Sequence, residues 1–325
     1  MSGPAASQKS GRPIDAALAV LNGVVGDYLA RTRNGLAIEM SFVRAGVPVV
    51  AAALDLGAAP RVVVLVHGLM CTEDIFKMDD GADYGTLLAR DLGLAPLYVR
   101  YNTGLPIADS GAALDALLDE LVAAWPGVGQ IDLLGYSMGG LVARAACHAA
   151  AARGAAWLSR VTRAVYVGTP HLGAPMERVG RFVSRVLRAV DDPYTRLVAD
   201  LADLRSDGVK DLGDADLRHE DRARRVHAIA LRDPAHPVPL LASIHHGLVA
   251  GSLFGDPHLA ALFGDAVVPL TSATNAAQRI ADGSPMRAED VVVLRGLSHV
   301  DVPRSREVYP HVLRLLSDAP AAEAP

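Results

Sequence analysis

The residues with the clearest chemical potential are Gly135-Tyr136-Ser137-Met138-Gly139-Gly140. A serine with a glycine two positions away on either side, preceded by the apolar run Ile131–Leu134 and followed by the Ala-rich stretch Gly139–Arg153, predicts a strand, a sharp turn and a helix. The spacing has a steric reason. Backbones nearly touch in so tight a turn, and only Gly135 and Gly139 leave room. The hydroxyl of Ser137 is then presented at the tip. Behind it the helix N-terminus offers free N–H groups and a positive dipole end, where developing negative charge is favoured. That is the setting of a serine nucleophile.

Such a nucleophile needs three supports. The first is a pair of N–H donors for the oxyanion. Met138 follows the serine directly, and His67-Gly68-Leu69 closes the apolar run Arg61–Val66, so the N–H groups of Leu69 and Met138 are the candidates. Each such donor contributes about 3–4 kcal/mol. His67 itself reads as a residue that shapes the loop. The second support is a general base late in the chain. His299 follows the strand Val291–Leu294 and the turn Arg295–Ser298, and an imidazole with pKa near ~6.5 suits proton transfer both ways. His311 falls in the last helix and reads as a surface residue. His245-His246 read as loop, with no acidic or cysteine partners at metal-ligand spacing, so no metal is expected there.

The third support is an acid between serine and histidine, and two aspartates qualify. Asp233 follows the expected strand Val226–Leu231 but enters the stiff stretch Pro234-Ala235-His236-Pro237. Asp265 lies in Phe263-Gly264-Asp265-Ala266-Val267-Val268-Pro269, where the glycine allows a tight approach and the apolar run packs beneath the carboxylate. Asp265 is the better candidate and Asp233 its rival.

The elements that must position these residues alternate. Residues 14–31 read as an amphipathic helix, and Leu36–Val43 and Val47–Leu54 as strands of a hairpin around Arg44-Ala45-Gly46. Strands follow at Arg61–Val66, Ala95–Arg100, Ile131–Leu134, Val161–Val167, Val226–Leu231 and Val291–Leu294, with helices at Thr86–Leu92, Ala112–Trp125 and Gly139–Arg153 between them. The alternation predicts an α/β fold with a mostly parallel, doubly wound sheet covered on both faces. It is interrupted once. Pro175 opens a helix whose one face carries Val179, Phe182, Val183, Val186 and Leu187 and whose other face carries Arg178, Arg181, Arg185 and Arg188. A second helix is expected from Asp192-Pro193, with Leu197, Leu201 and Leu204 in register and Gly208 past its end. The pair reads as an inserted helical cap over about residues 173–225, with Phe182 and Leu187 facing substrate. Residues 1–12 and 319–325 read as tails around a domain at 13–318.

The chain of 325 residues is 51% hydrophobic, enough to bury a core of this size. A net charge of −5 without a dense Lys/Arg block gives no reason to expect nucleic acid as a partner. Two cysteines, Cys71 and Cys147, make no disulfide framework, and Cys147 reads as a core residue. The stretch Ile14–Ala30 is broken by Asp15, Asn22, Gly23, Gly26 and Asp27, which is not the pattern of a signal peptide, and a cytoplasmic location is the expectation. The arginine face at Arg178–Arg188 reads as the solvated side of a lid, ahead of a transient contact with a membrane surface.

Taken together the motifs resemble those of the α/β-hydrolase superfamily. They are close to the GPI inositol-deacylase-like group and to bacterial triacylglycerol lipases. The residues that carry the resemblance are His67-Gly68-Leu69, Gly135 through Arg144, Gly168-Thr169-Pro170-His171-Leu172-Gly173, Gly264 through Pro269 and Ser298-His299, in family order over residues 61–302. The resemblance implies an α/β-hydrolase fold, a triad of Ser137, Asp265 and His299, and cleavage of a carboxylic or lipid ester through an acyl-enzyme, with no organic cofactor. Thr169 and His171 then read as structural. The same triad would also serve a thioesterase, an acyltransferase or a polyester depolymerase. A lipid-binding protein on a hydrolase scaffold is the reading from another class, disfavoured because it needs no complete triad. Some relatives bind calcium two residues after the histidine. Asp301 sits there without a second aspartate, so no metal is carried over.

Overall fold

Arg61–Val66 (β3), Arg-Val-Val-Val-Leu-Val, is buried along its whole length. Val62, Val64 and Val66 enter one apolar cluster and Val63 and Leu65 another, as a strand with period two must when both sheet faces are covered. β3 is therefore central. In the computed structural model, which describes residues 12–57, 61–189, 206–214, 217–218, 238–255, 264–274 and 286–317, it lies within an eight-stranded sheet.

The other strands are Ser41–Arg44 (β1), Val47–Val49 (β2), Ala95–Arg100 (β4), Gln130–Tyr136 (β5), Val161–Val167 (β6), His245–Ser252 (β7) and Val291–Arg295 (β8). Their order is β2-β1-β4-β3-β5-β6-β7-β8. All neighbours from β4 to β8 run parallel, and β1 pairs antiparallel with both β2 and β4. One face is covered by Arg12–Arg31 (α1), Ile107–Ala124 (α3) and Met138–Arg153 (α4), the other by Tyr84–Leu92 (α2) and Tyr309–Leu316 (α8). α3 and α4 approach so closely that a Cβ on Gly111 would stand 2.5 Å from that of Ala145. Met176–Ala189 (α5), Asp207–Asp214 (α6) and Leu270–Thr274 (α7) complete the elements named below. This is the doubly wound α/β-hydrolase fold expected from the alternation and the motifs.

Three readings need correction. The hairpin strands are shorter than expected, because the chain pairs only from Ser41 to Val49 and then turns into a single 3-10 turn at Ala51–Ala53. His245-His246 are not loop but the start of β7. The sequence His-His-Gly-Leu-Val-Ala-Gly-Ser has weak strand propensity, yet its glycines are required: a Cβ on Gly247 would stand 2.8 Å from Leu315 Cδ1, and one on Gly251 2.4 Å from Val302 Cγ2. Tertiary crowding overrides propensity there. Third, Gly208 lies inside a helix, α6, where a Cβ on it would stand 2.3 Å from the Thr103 carbonyl oxygen. α6 also caps α3, since Asp211 Oδ2 accepts from the Ile107 N–H at 2.9 Å. The expected strand Val226–Leu231, the expected helix from Asp192, Asp233, and the tails apart from Arg12, which begins α1, lie outside the described residues.

Candidate active site

The carboxyl ends of β3, β5, β6, β7 and β8 lie on one edge of the sheet, and Leu69, Ser137, Asp265 and His299 follow β3, β5, β7 and β8 in the chain. Ser137 leaves β5 with φ 52° and ψ −124°, a backbone conformation that a residue with a Cβ adopts at a cost. The elbow glycines make it fit. A Cβ on Gly135 would stand 2.5 Å from Gly140 Cα, and one on Gly139 2.1 Å from the Val66 carbonyl oxygen. The Ser137 N–H donates to the Val167 carbonyl at 2.8 Å, which ties the strained residue to β6.

The loop after β8 brings His299 to the serine, with Nε2 2.9 Å from Ser137 Oγ. The other ring nitrogen, Nδ1, donates to Asp265 Oδ2 at 2.7 Å. A carboxylate accepts only, so the proton sits on Nδ1 and the Nε2 lone pair faces the serine hydroxyl. Asp265 is held on its far side. Its Oδ1 accepts from the N–H groups of Val267 at 3.1 Å and Val268 at 2.8 Å, and its carbonyl accepts from the His299 N–H at 3.0 Å. All three residues are buried: Ser137 is 5%, His299 3% and Asp265 1% exposed. Asp301, two residues after His299, accepts from the Ser298 N–H at 3.2 Å. Among the described residues no group of three His, Cys, Asp or Glu side chains could hold a metal ion.

The backbone amides near the serine are mostly spoken for. Met70 N–H donates to Thr103 Oγ1, Cys71 N–H to Gly68 O and Gly140 N–H to Ser137 O. No hydrogen bond from the Leu69 or Met138 N–H occurs among the described residues. The side of Phe182, on α5, meets the His299 ring edge to face, with centroids 5.8 Å apart. The side chain of Leu187 lies outside the described residues.

One support was not legible as such. The Tyr136 hydroxyl donates to the His299 carbonyl at 2.9 Å, and its ring lies 5.3 Å from the imidazole. With the Asp265 carbonyl on the N–H side, the His299 backbone is gripped at both ends. The signal was adjacency: the residue before the serine lies at the end of β5, directly beneath the histidine loop.

His67, His171 and His246 are buried and neutral. His67 stacks on Tyr101 at 4.7 Å and donates from Nδ1 to the Gly68 carbonyl. His246 accepts from the Tyr166 hydroxyl and donates to the Leu241 carbonyl. His171 accepts from Arg144 and packs edge to face on Tyr166. Thr169 is buried against Gly140, where a Cβ would stand 2.1 Å from its Oγ1. Burial pushes His67 and His246 down to about 4 and His171 well below its ordinary range. An unfolded chain protonates these groups near pH ~6.5 while the folded one refuses the proton, so stability is full above that pH and is lost as pH falls toward 4, by about 1.4 kcal/mol per pH unit for each group. Melting temperature should therefore be level above pH ~6.5 and decline steadily below it. A Tm that stays constant down to pH ~4.5 contradicts the neutral assignment.

Residues 113–226 match the family described as PGAP1-like alpha/beta domain, which meets the resemblance read from the motifs. Among curated proteins none matches the chain. Of solved structures, the mature form of the Bacillus licheniformis lipase BlEst2 is similar, with a TM-score of 0.51 and 18% identity over 81% of this chain and 94% of that one. The lin2722 product of Listeria innocua is similar at TM-score 0.47 and 11% identity, covering 80% and 94% of the two chains. The RedJ thioesterase of the prodiginine pathway in Streptomyces coelicolor is similar at 0.45 and 17%, covering 83% and 91%. Among the described residues no helix is long and apolar enough to cross a membrane.

Proposed function

We propose that the protein is a serine hydrolase that cleaves carboxylic esters through an acyl-enzyme. The observation that carries this reading is the unbroken hydrogen-bonded series from Ser137 Oγ through both nitrogens of His299 to Asp265, buried and assembled from three separate loops. Ser137 attacks the ester carbonyl as His299 Nε2 takes its proton. Asp265 keeps the Nδ1 proton in place and stabilises the imidazolium that forms. The Leu69 and Met138 N–H groups hold the oxyanion. His299 then returns the proton to the alkoxide leaving group, the alcohol departs, and water, activated by the same imidazole, frees the acid. The lipase likeness agrees with an ester substrate, and an apolar side chain against His299 suits an acyl chain.

The test is turnover of p-nitrophenyl esters graded from acetate to palmitate, together with labelling by a fluorophosphonate probe. A protein inert to every ester and to the probe overturns the reading.

α5 is proposed to act as part of a cap on this site, and Phe182 as its contact with substrate. Burying a phenyl ring contributes about 1.5–3 kcal/mol, which is roughly 10- to 100-fold in kcat/KM. Phe182→Ser should therefore lower kcat/KM for octanoate and longer esters by at least about tenfold and for acetate by less than about threefold. Equal losses on short and long esters, with the melting temperature retained, would remove Phe182 from the acyl site.

A further inference from the structure

The loop that carries Leu69 is a β-turn, Gly68 to Cys71, closed by the Cys71 N–H donating to the Gly68 carbonyl at 3.2 Å. Its third residue, Met70, has φ 58°, whereas Leu69 is not in the left-handed region. That combination belongs to the turn whose central peptide group is rotated by roughly half a turn from the common form, and glycine is the residue that ordinarily occupies the third position. Here it is methionine, so the rotated peptide has to be held from outside.

Both ends of the Leu69–Met70 peptide are held. Its N–H donates to Thr103 Oγ1 at 3.1 Å, and its carbonyl accepts from Cys71 Sγ at 3.3 Å. Burial lifts the Cys71 thiol to about 12, so it stays protonated and keeps donating. Thr103 is buried, and loss of its hydroxyl would strand the Met70 N–H away from solvent.

Thr103 is fixed independently of the turn it serves. It lies in the segment after β4. There Tyr101 donates to the His67 carbonyl at 2.9 Å and Asn102 Nδ2 to the Gly26 carbonyl of α1 at 2.9 Å, while Asn102 Oδ1 accepts from the Gly104 N–H at 3.0 Å. From the other side, Gly208 of α6 is so close that a Cβ there would stand 2.3 Å from the Thr103 carbonyl oxygen. α1 also braces the turn: a Cβ on Gly23 would stand 2.3 Å from Met70 Cγ and 3.3 Å from Thr103 Oγ1.

We propose that Thr103 is a positioning residue for ester cleavage: by accepting from the Met70 N–H it holds the rotated peptide of the Gly68–Cys71 turn and so aims the Leu69 N–H at the oxyanion. The inference rests on the ester-hydrolase reading above. Without the hydroxyl, relaxation of the turn lets Met70 leave the left-handed region and pairs its N–H elsewhere, and Leu69 moves with it. A misplacement of about 1 Å costs roughly 10²-fold in rate, and outright removal of an oxyanion donor about 10²–10³-fold.

The test compares Thr103→Val, which keeps the shape and removes the acceptor, with Thr103→Ser, which keeps the acceptor. Thr103→Val should lower kcat on p-nitrophenyl butyrate by about 10- to 100-fold with KM within about threefold. The inhibition constant of a trifluoromethyl ketone, whose hydrated or serine-bound form needs the oxyanion donors, should rise by the same factor. Thr103→Ser should restore kcat to within about threefold of wild type. If the valine variant melts too low to assay, Thr103→Ala at reduced temperature is measured against Thr103→Ser instead, with the same expectations. Three results overturn the inference: a valine or alanine variant with wild-type kcat, a serine variant as impaired as these, or a fall in kcat with the ketone's inhibition unchanged. A wild-type protein inert to the ester and to fluorophosphonate overturns the ester-hydrolase reading, and this inference falls with it. Active wild type with an indifferent Thr103→Val overturns the inference alone.

Discussion

Ser137→Ala should reduce kcat on p-nitrophenyl butyrate by about 10⁶-fold, as loss of the nucleophile does in a serine protease, with a residual rate above the background reaction left by the oxyanion donors and binding. Fluorophosphonate labelling should vanish with it. The fold should survive. Ser137 Oγ contributes one hydrogen bond among the described residues, to His299 Nε2, and its loss costs about 1 kcal/mol, or a shift of only a few degrees in melting temperature. A companion variant reads the strain directly. With φ 52° and ψ −124°, position 137 penalises any Cβ by about 1–3 kcal/mol. Ser137→Gly should therefore melt above Ser137→Ala, although glycine loses more entropy on folding. Undiminished turnover or labelling in Ser137→Ala would remove the serine from the chemistry.

Asp265→Asn should lower kcat by about 10⁴-fold with little change in KM. The geometry supplies the reason. Asp265 Oδ1 accepts two backbone N–H groups, from Val267 and Val268, so the amide oxygen of asparagine must take that place. Its NH2 then faces His299 Nδ1, 2.7 Å away in the wild type. An NH2 donates, so the ring must present a lone pair at Nδ1 and carry its proton on Nε2. In that tautomer the nitrogen facing Ser137 cannot receive the serine proton. Both residues are buried, and the strength of the wild-type pairing is correspondingly little screened. Asp233→Asn, the rival, should cost far less. The reverse ranking on folded proteins would transfer the acid's role to Asp233.

The site was legible where local sterics dictate it. Gly135, Ser137 and Gly139 belong to a turn that only small residues permit, and a stretch such as Arg61–Val66 declares a strand buried on both faces. The triad acid was narrowed to two aspartates by the demand for a loop at the carboxyl edge of the sheet. The partner that accepts from His299 Nδ1 is Asp265, whose direction is set by the turn from Gly264 to Val268. Other features were illegible because their causes are distant in the chain. β7 has poor strand propensity and exists because Gly247 and Gly251 leave room for Leu315 and Val302. Asp211 is required by the open N-terminus of α3, at Ile107, a sequence separation of 104. Tyr136 and Thr103 look like ordinary packing residues until their hydroxyls are seen to hold the His299 carbonyl and the Met70 N–H.

By itself the sequence determined the doubly wound sheet, the elbow with its serine, and the late histidine, because hydrophobic period, glycine spacing and the shape of a tight turn act within a few residues. Only the tertiary structure decided which carboxylate meets His299, that Phe182 lies against its ring, and which hydroxyls steady the two loops flanking Ser137. Those are matters of ångströms between segments up to 163 residues apart. Hydrogen bonds and edge-to-face ring contacts act only at contact distance, so the packing of the sheet and its helices, and no local pattern, selects them.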